Sequence, residues 1–226
     1  MSGEASNTRK ETGRFYKLHL IWYRIRHGMI LLSIRNLLLR LKININPYWI
    51  DREGLDLSAE PRLPEPPEMY RLEAVPRKQL RPLFELLRYN LDMLEDRPES
   101  PYEALGLYKG EELAAFTMMR YGQFELSGKK FLLSPGEAYL ENMYTFENFR
   151  GKKLAPYLRY QCYKYLEGKG ISRCYSGTQC LNTASRRFKA KLNIQHETLY
   201  LHIDLFKRFR RTYLLRRYTP SAPPAN

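Results

Sequence analysis

The segment that most limits the folds open to this chain runs from Glu137 to Tyr165. Residues Glu137 to Thr145 are aromatic and apolar with polar residues interspersed, the composition of a strand. A short turn, Glu147 to Arg150, leads into a run that carries Leu154, Leu158, Cys162 and Tyr165 at helical spacing. Gly151, Lys152 and Lys153 fall where the first turn of that helix must lie. A strand feeding a glycine-containing turn that opens a helix leaves several backbone N–H groups unpaired and aimed one way. The helix dipole adds a partial positive charge there, and two lysines add full ones. The site therefore suits a phosphate or pyrophosphate. Arg-Gly-Lys also occurs in strand-to-helix turns that bind nothing, so the rest of the chain has to decide.

At 226 residues the chain is one ordinary domain with room for extensions, and 43% hydrophobic residues make it globular. Lysine and arginine outnumber the acids 38 to 24, a formal charge of +14. Such an excess favours anionic partners: cofactor phosphates, nucleic acid or an anionic membrane surface. Cys162, Cys174 and Cys180 follow no metal-ligand spacing, and an odd number argues against a disulfide framework. No metal is expected, and a reducing, cytoplasmic compartment is. Met1 to Thr12 reads as neither a secretory signal nor a transit peptide.

Between residues 13 and 43, Leu18, Ile21, Trp22, Ile25, Met29 and Leu32 recur on one helical face, with Lys17, Arg24, His27 and Arg35 opposite. Two readings stand: a basic amphipathic helix lying in an anionic membrane interface, or a helix packed by its apolar face on protein. The longest uncharged run, His27 to Ile34, is too short for a bilayer, which needs roughly 20 apolar residues. Residues 46–68 read as a Pro-rich linker, with the compact domain, 69–206, beginning after it. Within that domain the pattern predicts a strand at Met69 to Val75, a helix at Lys78 to Leu94 and strands at Ala104 to Tyr108 and Glu112 to Tyr121. A hairpin with Ser127-Gly128 at its tip follows, then the opening strand and helix. Beyond them come a strand at Ser172 to Thr178, a helix at Leu181 to Leu192 and a strand at Glu197 to Phe206. This order gives an α/β (α+β) mixed sheet with helices on its faces. Residues 207–226 form a basic C-terminal segment and tail, read as a solvated basic helix or a surface for RNA or anionic lipid.

Two segments then point one way. Glu141-Asn-Met-Tyr-Thr-Phe-Glu-Asn-Phe-Arg-Gly-Lys-Lys-Leu-Ala155 resembles the fourth strand and pyrophosphate loop of the GNAT family of acyl-CoA-dependent N-acyltransferases. Asn182-Thr-Ala-Ser-Arg-Arg-Phe-Lys-Ala-Lys-Leu-Asn-Ile194 is similar to that family's second cofactor segment. The resemblance covers roughly residues 69 to 206. It implies a GNAT fold whose fourth and fifth strands splay apart, with the pantetheine arm of acetyl-CoA, or another acyl-CoA, in the gap. It further implies that Met143 and Thr145 supply main-chain groups to that arm, and that Arg150, Gly151, Lys152, Lys153, Leu154 and Ala155 surround the pyrophosphate. Asn182 and Ser185 would contact the cofactor from the far side of the cleft. The chain departs from the family pattern at Asn148, at Lys153 in place of a second small residue, and at Asn193-Ile194 in place of Gly-Phe.

For chemistry, the resemblance implies a carboxylate base on the fourth strand, and Glu137 and Glu141 both stand there on one face. Many members place a tyrosine in the second helix as general acid, where this chain has Lys189. Water, Lys189 and Tyr144 remain as alternatives. His196 and His202 read as structural, and Cys174 and Cys180 lack the His–Asp companion that an acyl-cysteine route needs. The expected activity is N-acetylation of a primary amine by direct attack in a ternary complex. The acceptor expected is a small-molecule or lipid-linked amine, such as an amino sugar, near the inner face of a membrane. Acylation of a nucleic-acid or protein amine, and a non-catalytic CoA-binding adaptor, are the alternatives.

Overall fold

A computed structural model describes residues 30–53, 60–95, 97–192 and 194–218. Of the helix expected between residues 13 and 43, only the end lies among them: α1, Ile30–Arg40. The chain divides into two compact units, Met1–Ile45 with Ile203–Arg210, and Asn46–His202 with Arg211–Asn226. In the smaller unit α1 closes with Lys42 N donating to Leu39 O at 3.0 Å, Lys42 being left-handed at φ 58°. Phe206 N donates to Lys42 O at 2.7 Å, and Asp204 accepts from Lys207 N and pairs with Arg210 at 2.9 Å. Ile34, Leu37 and Leu39 of α1 are exposed. No described helix is long and apolar enough to cross a membrane.

The larger unit carries the site. Its elements are β1 (Ile43–Glu53, entering from the smaller unit), β2 (Arg71–Ala74), α2 (Arg77–Leu87), β3 (Tyr102–Lys109) and β4 (Glu112–Arg120). The hairpin β5 (Gln123–Leu126) and β6 (Lys129–Leu132) follows, then β7 (Glu137–Thr145) and α3 (Leu154–Gly168). The chain ends with β8 (Arg173–Gln179), α4 (Thr183–Ala190), β9 (Gln195–Leu205) and β10 (Phe209–Arg217). The eight-stranded sheet has the order β10-β9-β1-β8-β7-β4-β3-β2, and β5-β6 stands apart from it. One face of the sheet buries Leu105, Met119, Ala138 and Leu140 against Cys162, Tyr163 and Leu166 of α3. The other buries Ala104, Phe116 and Met118 against Leu80 and Phe84 of α2. Beneath the hairpin, Tyr48, Ile50 and Tyr139 pack on Phe124, whose ring stacks on Tyr139 at 3.6 Å between centroids.

Three expectations are corrected here. Residues 46–53 are not linker: they belong to β1, an internal strand antiparallel to β8, with Tyr48 opposite Gln179 and Glu53 opposite Cys174. The strand escapes notice because its second buried face is acidic. Tyr48 and Ile50 meet the hairpin core, while Asp51 and Glu53, also fully buried, satisfy polar partners instead. Pro47 within it loses a donor but keeps its acceptor, since Cys180 N donates to Pro47 O at 2.9 Å. The helix expected to reach Leu94 stops at Leu87, where Arg88 turns left-handed (φ 56°), and a separate 3-10 turn spans Leu91–Leu94. The basic C-terminal run is strand β10, not a helix.

The two central strands set up the site. β7 and β8 run parallel and pair only from Glu137–Arg173 to Leu140–Ser176, although β7 continues to Thr145 and β8 to Gln179. Beyond Leu140 they diverge. At the same point β7 bulges against β4: Met118 faces Glu141 and Phe116 faces Tyr144, so Asn142 and Met143 share one partner position. Asn142 takes φ 51°, a left-handed conformation that asparagine tolerates.

Candidate active site

A cleft of about 470 Å³ occupies the gap between the diverging strands, floored by Leu140 to Met143 of β7 and Ser176 to Gln179 of β8. Gly177 keeps it open to the sheet. A Cβ there would lie 2.7 Å from the Tyr139 hydroxyl and 2.6 Å from a Leu126 methyl. Asn182 and Ser185 line the cleft from α4, and Asn182 caps that helix by accepting from Ser185 N at 3.0 Å. Of the residues expected to meet the cofactor arm, Met143 lines the cleft. Thr145 lies further along β7, where its carbonyl accepts from Arg150 Nε at 3.3 Å.

The turn after β7 leaves backbone N–H groups open at the start of α3. Gly151 has φ 81°, and nothing stands within 4 Å of where its Cβ would be. Lys153 occupies the N-cap of α3 in the left-handed region (φ 59°), with no side-chain cap. The large residue at this position is thus accommodated in the turn's own conformation. Leu154 and Ala155 follow as the first helical residues, Leu154 buried as an anchor, and first-turn N–H groups have no partner within a helix. Lys152 Nζ pairs with Glu65 Oε1 at 3.0 Å. Glu65 also accepts from Lys109 at 2.8 Å and from the Tyr70 hydroxyl at 2.7 Å. Hydrogen bonds from Lys109, Tyr70 and Lys152 pull the Glu65 carboxyl down to about 2.

The two candidate carboxylates separate. Glu141 lines the cleft, with Oε1 2.5 Å from Arg120 Nε and both side chains more than nine-tenths buried. Burial raises its pKa and the Arg120 charge opposes the rise. The Arg120 guanidinium is fixed in turn by the Met93 carbonyl and the Ser100 hydroxyl. Glu137 shares the strand face but lies in another cavity, accepting from Ser134 N at 2.9 Å and the Tyr175 hydroxyl at 3.1 Å, beside Arg173. Tyr144 packs among Phe116 and Phe146 and accepts from Arg150 Nη2 at 3.2 Å. Cys174 is buried in the core, and burial pushes the half-buried Cys180 thiol up to about 11, so neither is an activated nucleophile.

On the opposite face of the cleft lies a buried ionic cluster. Asp51 accepts from Lys189 Nζ at 2.6 Å, Thr178 Oγ1 at 2.7 Å and His196 Nδ1 at 2.6 Å. Glu53 accepts from the Tyr163 hydroxyl at 2.6 Å and the Ser176 hydroxyl, and faces Arg159 Nε at 3.5 Å. Arg159, 3% exposed, lines the cleft with Nε and Nη1 making no hydrogen bond. Burial lowers the Lys189 pKa and Asp51 opposes the fall. Asp51, Glu53 and Arg159 were invisible as site residues while residues 46–68 read as a linker. The available signal was Tyr48-Trp-Ile-Asp-Arg-Glu53, an aromatic and β-branched run that a linker has no reason to carry.

Residues 66–193 match the model of the acetyltransferase (GNAT) family. No curated protein matches the sequence. Among solved structures, similarity extends to a tandem GNAT protein from the clavulanic acid biosynthesis pathway. That protein is 15% identical, with 79% of this chain and 55% of that chain covered at TM-score 0.52. A Drosophila protein is 11% identical (77% and 57% covered, TM-score 0.49). A GCN5-related N-acetyltransferase from Kribbella flavida is 12% identical (76% and 63% covered, TM-score 0.46). The likeness is one of fold, and this chain spans less than two thirds of each of these proteins.

Proposed function

This chain belongs to the acetyltransferase (GNAT) family, and we propose that it transfers an acyl group, in the first instance acetyl from acetyl-CoA, to a primary amine within a ternary complex. The observation that carries this reading is the divergence of β7 and β8 beyond Leu140 and Ser176, with a bulge on one side of the gap and a glycine-opened helix N-terminus beyond it. The residues fit the co-substrate. The bulged backbone at Asn142 and Met143 borders the open cleft, and the space over Gly151 admits a diphosphate to the N–H groups of α3. When bound, acetyl-CoA supplies an activated carbonyl on a thiol leaving group.

Glu141 is the group we assign as base. It is the β7 carboxylate that borders the cleft, and burial raises its pKa toward the range where it accepts a proton from an ammonium and later releases it. Arg120 fixes its orientation. Acetyl-CoA titrated calorimetrically into the protein should bind with a stoichiometry of one, and absence of binding at millimolar concentration would rule this function out. Glu141→Gln should then retain binding while turnover falls roughly 10²- to 10⁴-fold.

The acceptor we favour is an amino sugar or lipid-linked amine at an anionic membrane surface. Support comes from β10, where the pairs Arg210-Arg211 and Arg216-Arg217 flank the exposed Tyr213, Leu214 and Leu215, with exposed Phe209 at the strand's start. Cations beside exposed apolar side chains suit a charged interface.

A further inference from the structure

A second cavity, of about 450 Å³, lies between the sheet and the β5–β6 hairpin, and none of its lining residues borders the cleft. Its volume is that of a small-molecule site. Phe124 lines this cavity, Tyr139 lines the cleft, and the stack of their two rings separates the spaces. One end is aromatic. Phe131 lies parallel to Phe124 with centroids 4.8 Å apart, and it meets Tyr200 edge to face at 5.5 Å and 80°. Lys129 Nζ sits over both Phe131 and Tyr200, 5.5 and 5.7 Å from their centroids, and holds that corner in shape. A third ring fits such a corner by the same stacked and edge-to-face contacts.

The charged groups of the cavity carry both signs and are not fully matched. Glu137 is satisfied, accepting from Ser134 N and the Tyr175 hydroxyl with Arg173 Nη1 3.4 Å away. Glu197 is not. Its Oε2 is buried and accepts no hydrogen bond, and a buried acceptor without a donor is costly to keep. Arg52 and Arg217 line the same cavity, Arg52 from β1, the strand beside β9. Burial raises the Glu197 carboxyl and the Arg52 charge opposes the rise, yet no ion pair joins the two. Neighbouring strands thus present an orphaned carboxylate oxygen and a guanidinium to one space, beside an aromatic corner.

We propose that this cavity binds a free α-amino acid with an aromatic side chain: Glu197 accepts from its ammonium, Arg52 donates to its carboxylate, and its ring enters the corner of Phe131 and Tyr200. Charge decides the class. An amine alone would face Arg52, Arg173 and Arg217 with nothing to offer them, and an acid alone would meet Glu137 and Glu197. An α-amino acid carries both charges on one carbon, as the pair on β1 and β9 requires. The site stands apart from the cleft and does not depend on the acyl-transfer reading.

The test is calorimetric titration of the full chain with L-phenylalanine, beside L-phenylalaninamide, which lacks the carboxylate, and N-acetyl-L-phenylalanine, which lacks the ammonium. L-Phenylalanine should bind saturably, and each derivative should bind roughly tenfold more weakly or worse, having lost a charge-assisted hydrogen bond. No saturable binding of L-phenylalanine at millimolar concentration overturns the site. A derivative that binds as tightly as the amino acid overturns the recognition assigned to the charge it lacks. Two variants locate the ligand. Glu197→Gln removes a charge that nothing satisfies, so the melting temperature of the free protein should hold or rise. The further rise that L-phenylalanine gives the wild type should vanish in this variant. Arg52→Gln should lose that rise as well. A purely structural Glu197 would behave oppositely, with a lower melting temperature and intact binding. Binding that survives both variants places the amino acid elsewhere and sinks the proposal.

Discussion

Single positions decide whether the turn after β7 can hold a diphosphate. Gly151 is the sharpest case, because a side chain at φ 81° is strained and would also enter the open space above the turn. Placing a residue with a Cβ there costs roughly 1–2 kcal/mol. Gly151→Ala should therefore weaken acetyl-CoA binding by about tenfold in a calorimetric titration, with little change in fold. Glu65 works in the opposite direction. It holds Lys109 and Lys152 beside the turn and neutralises part of their field. Glu65→Gln should tighten acetyl-CoA binding several-fold, and added salt should erase the gain. Its carboxyl is depressed to about 2, so the stabilisation it contributes is complete above the ordinary carboxylate range. That stabilisation fades only as pH falls toward 2.

Among the elements, β1 matters most and was least legible. The opening strand, the hairpin at Ser127-Gly128 and the helix after Gly151 announce themselves through period-2 or helical alternation, and they lie where the pattern puts them. β1 offers no such alternation, because Asp51 and Glu53 take the buried places where apolar residues would mark a strand. Their partners, Arg159, Tyr163, Thr178 and Lys189, lie more than a hundred residues away, and no local pattern reports a long-range polar match. The same blindness divided the site. The glycine-containing turn before α3 was readable from the strand-to-helix pattern and Asn182 from the family resemblance, whereas the ionic cluster was not. Asp51→Ala would leave Lys189 buried without its counter-ion, and breaking such pairs costs about 3–5 kcal/mol. Urea unfolding should show a loss of that size, and Asp51→Asn a smaller one. A chain truncated to begin at residue 68 lacks β1 and leaves β8 with a bare edge. It should aggregate or fail to show a cooperative thermal transition, whereas a chain beginning at Ile30 should melt cooperatively.

At the scale of the whole molecule, charge dominates. A formal charge of +14 and a sequence pI near 9.7 make the protein a polycation at any physiological pH. Cosedimentation with vesicles containing anionic phospholipid should be strong at low salt and fall steeply as ionic strength rises. Vesicles of zwitterionic lipid should carry down much less. Replacing Arg210, Arg211, Arg216 and Arg217 together with glutamine should cut the anionic binding. Unchanged sedimentation would move the contact elsewhere.

The place of β1 in the sheet also fixes an order of events during synthesis. It leaves the ribosome before any other described strand, yet its sheet neighbours β8 and β9 are among the last to appear. Thr178 and Asp51, which meet in the finished cluster, are separated by 127 residues. Until those residues have been made, the strand has nothing to pair with and its two acids remain in water. The half-sheet from β2 to β7 can assemble around α2 and α3 in the meantime. Joining β1 to β8 then closes a loop of more than a hundred residues, pulls Asp51 and Glu53 out of solvent and builds the far wall of the cleft in one stroke. A nascent chain stalled before β8 should consequently be partly protease-resistant from residue 68 onward and cleavable within β1.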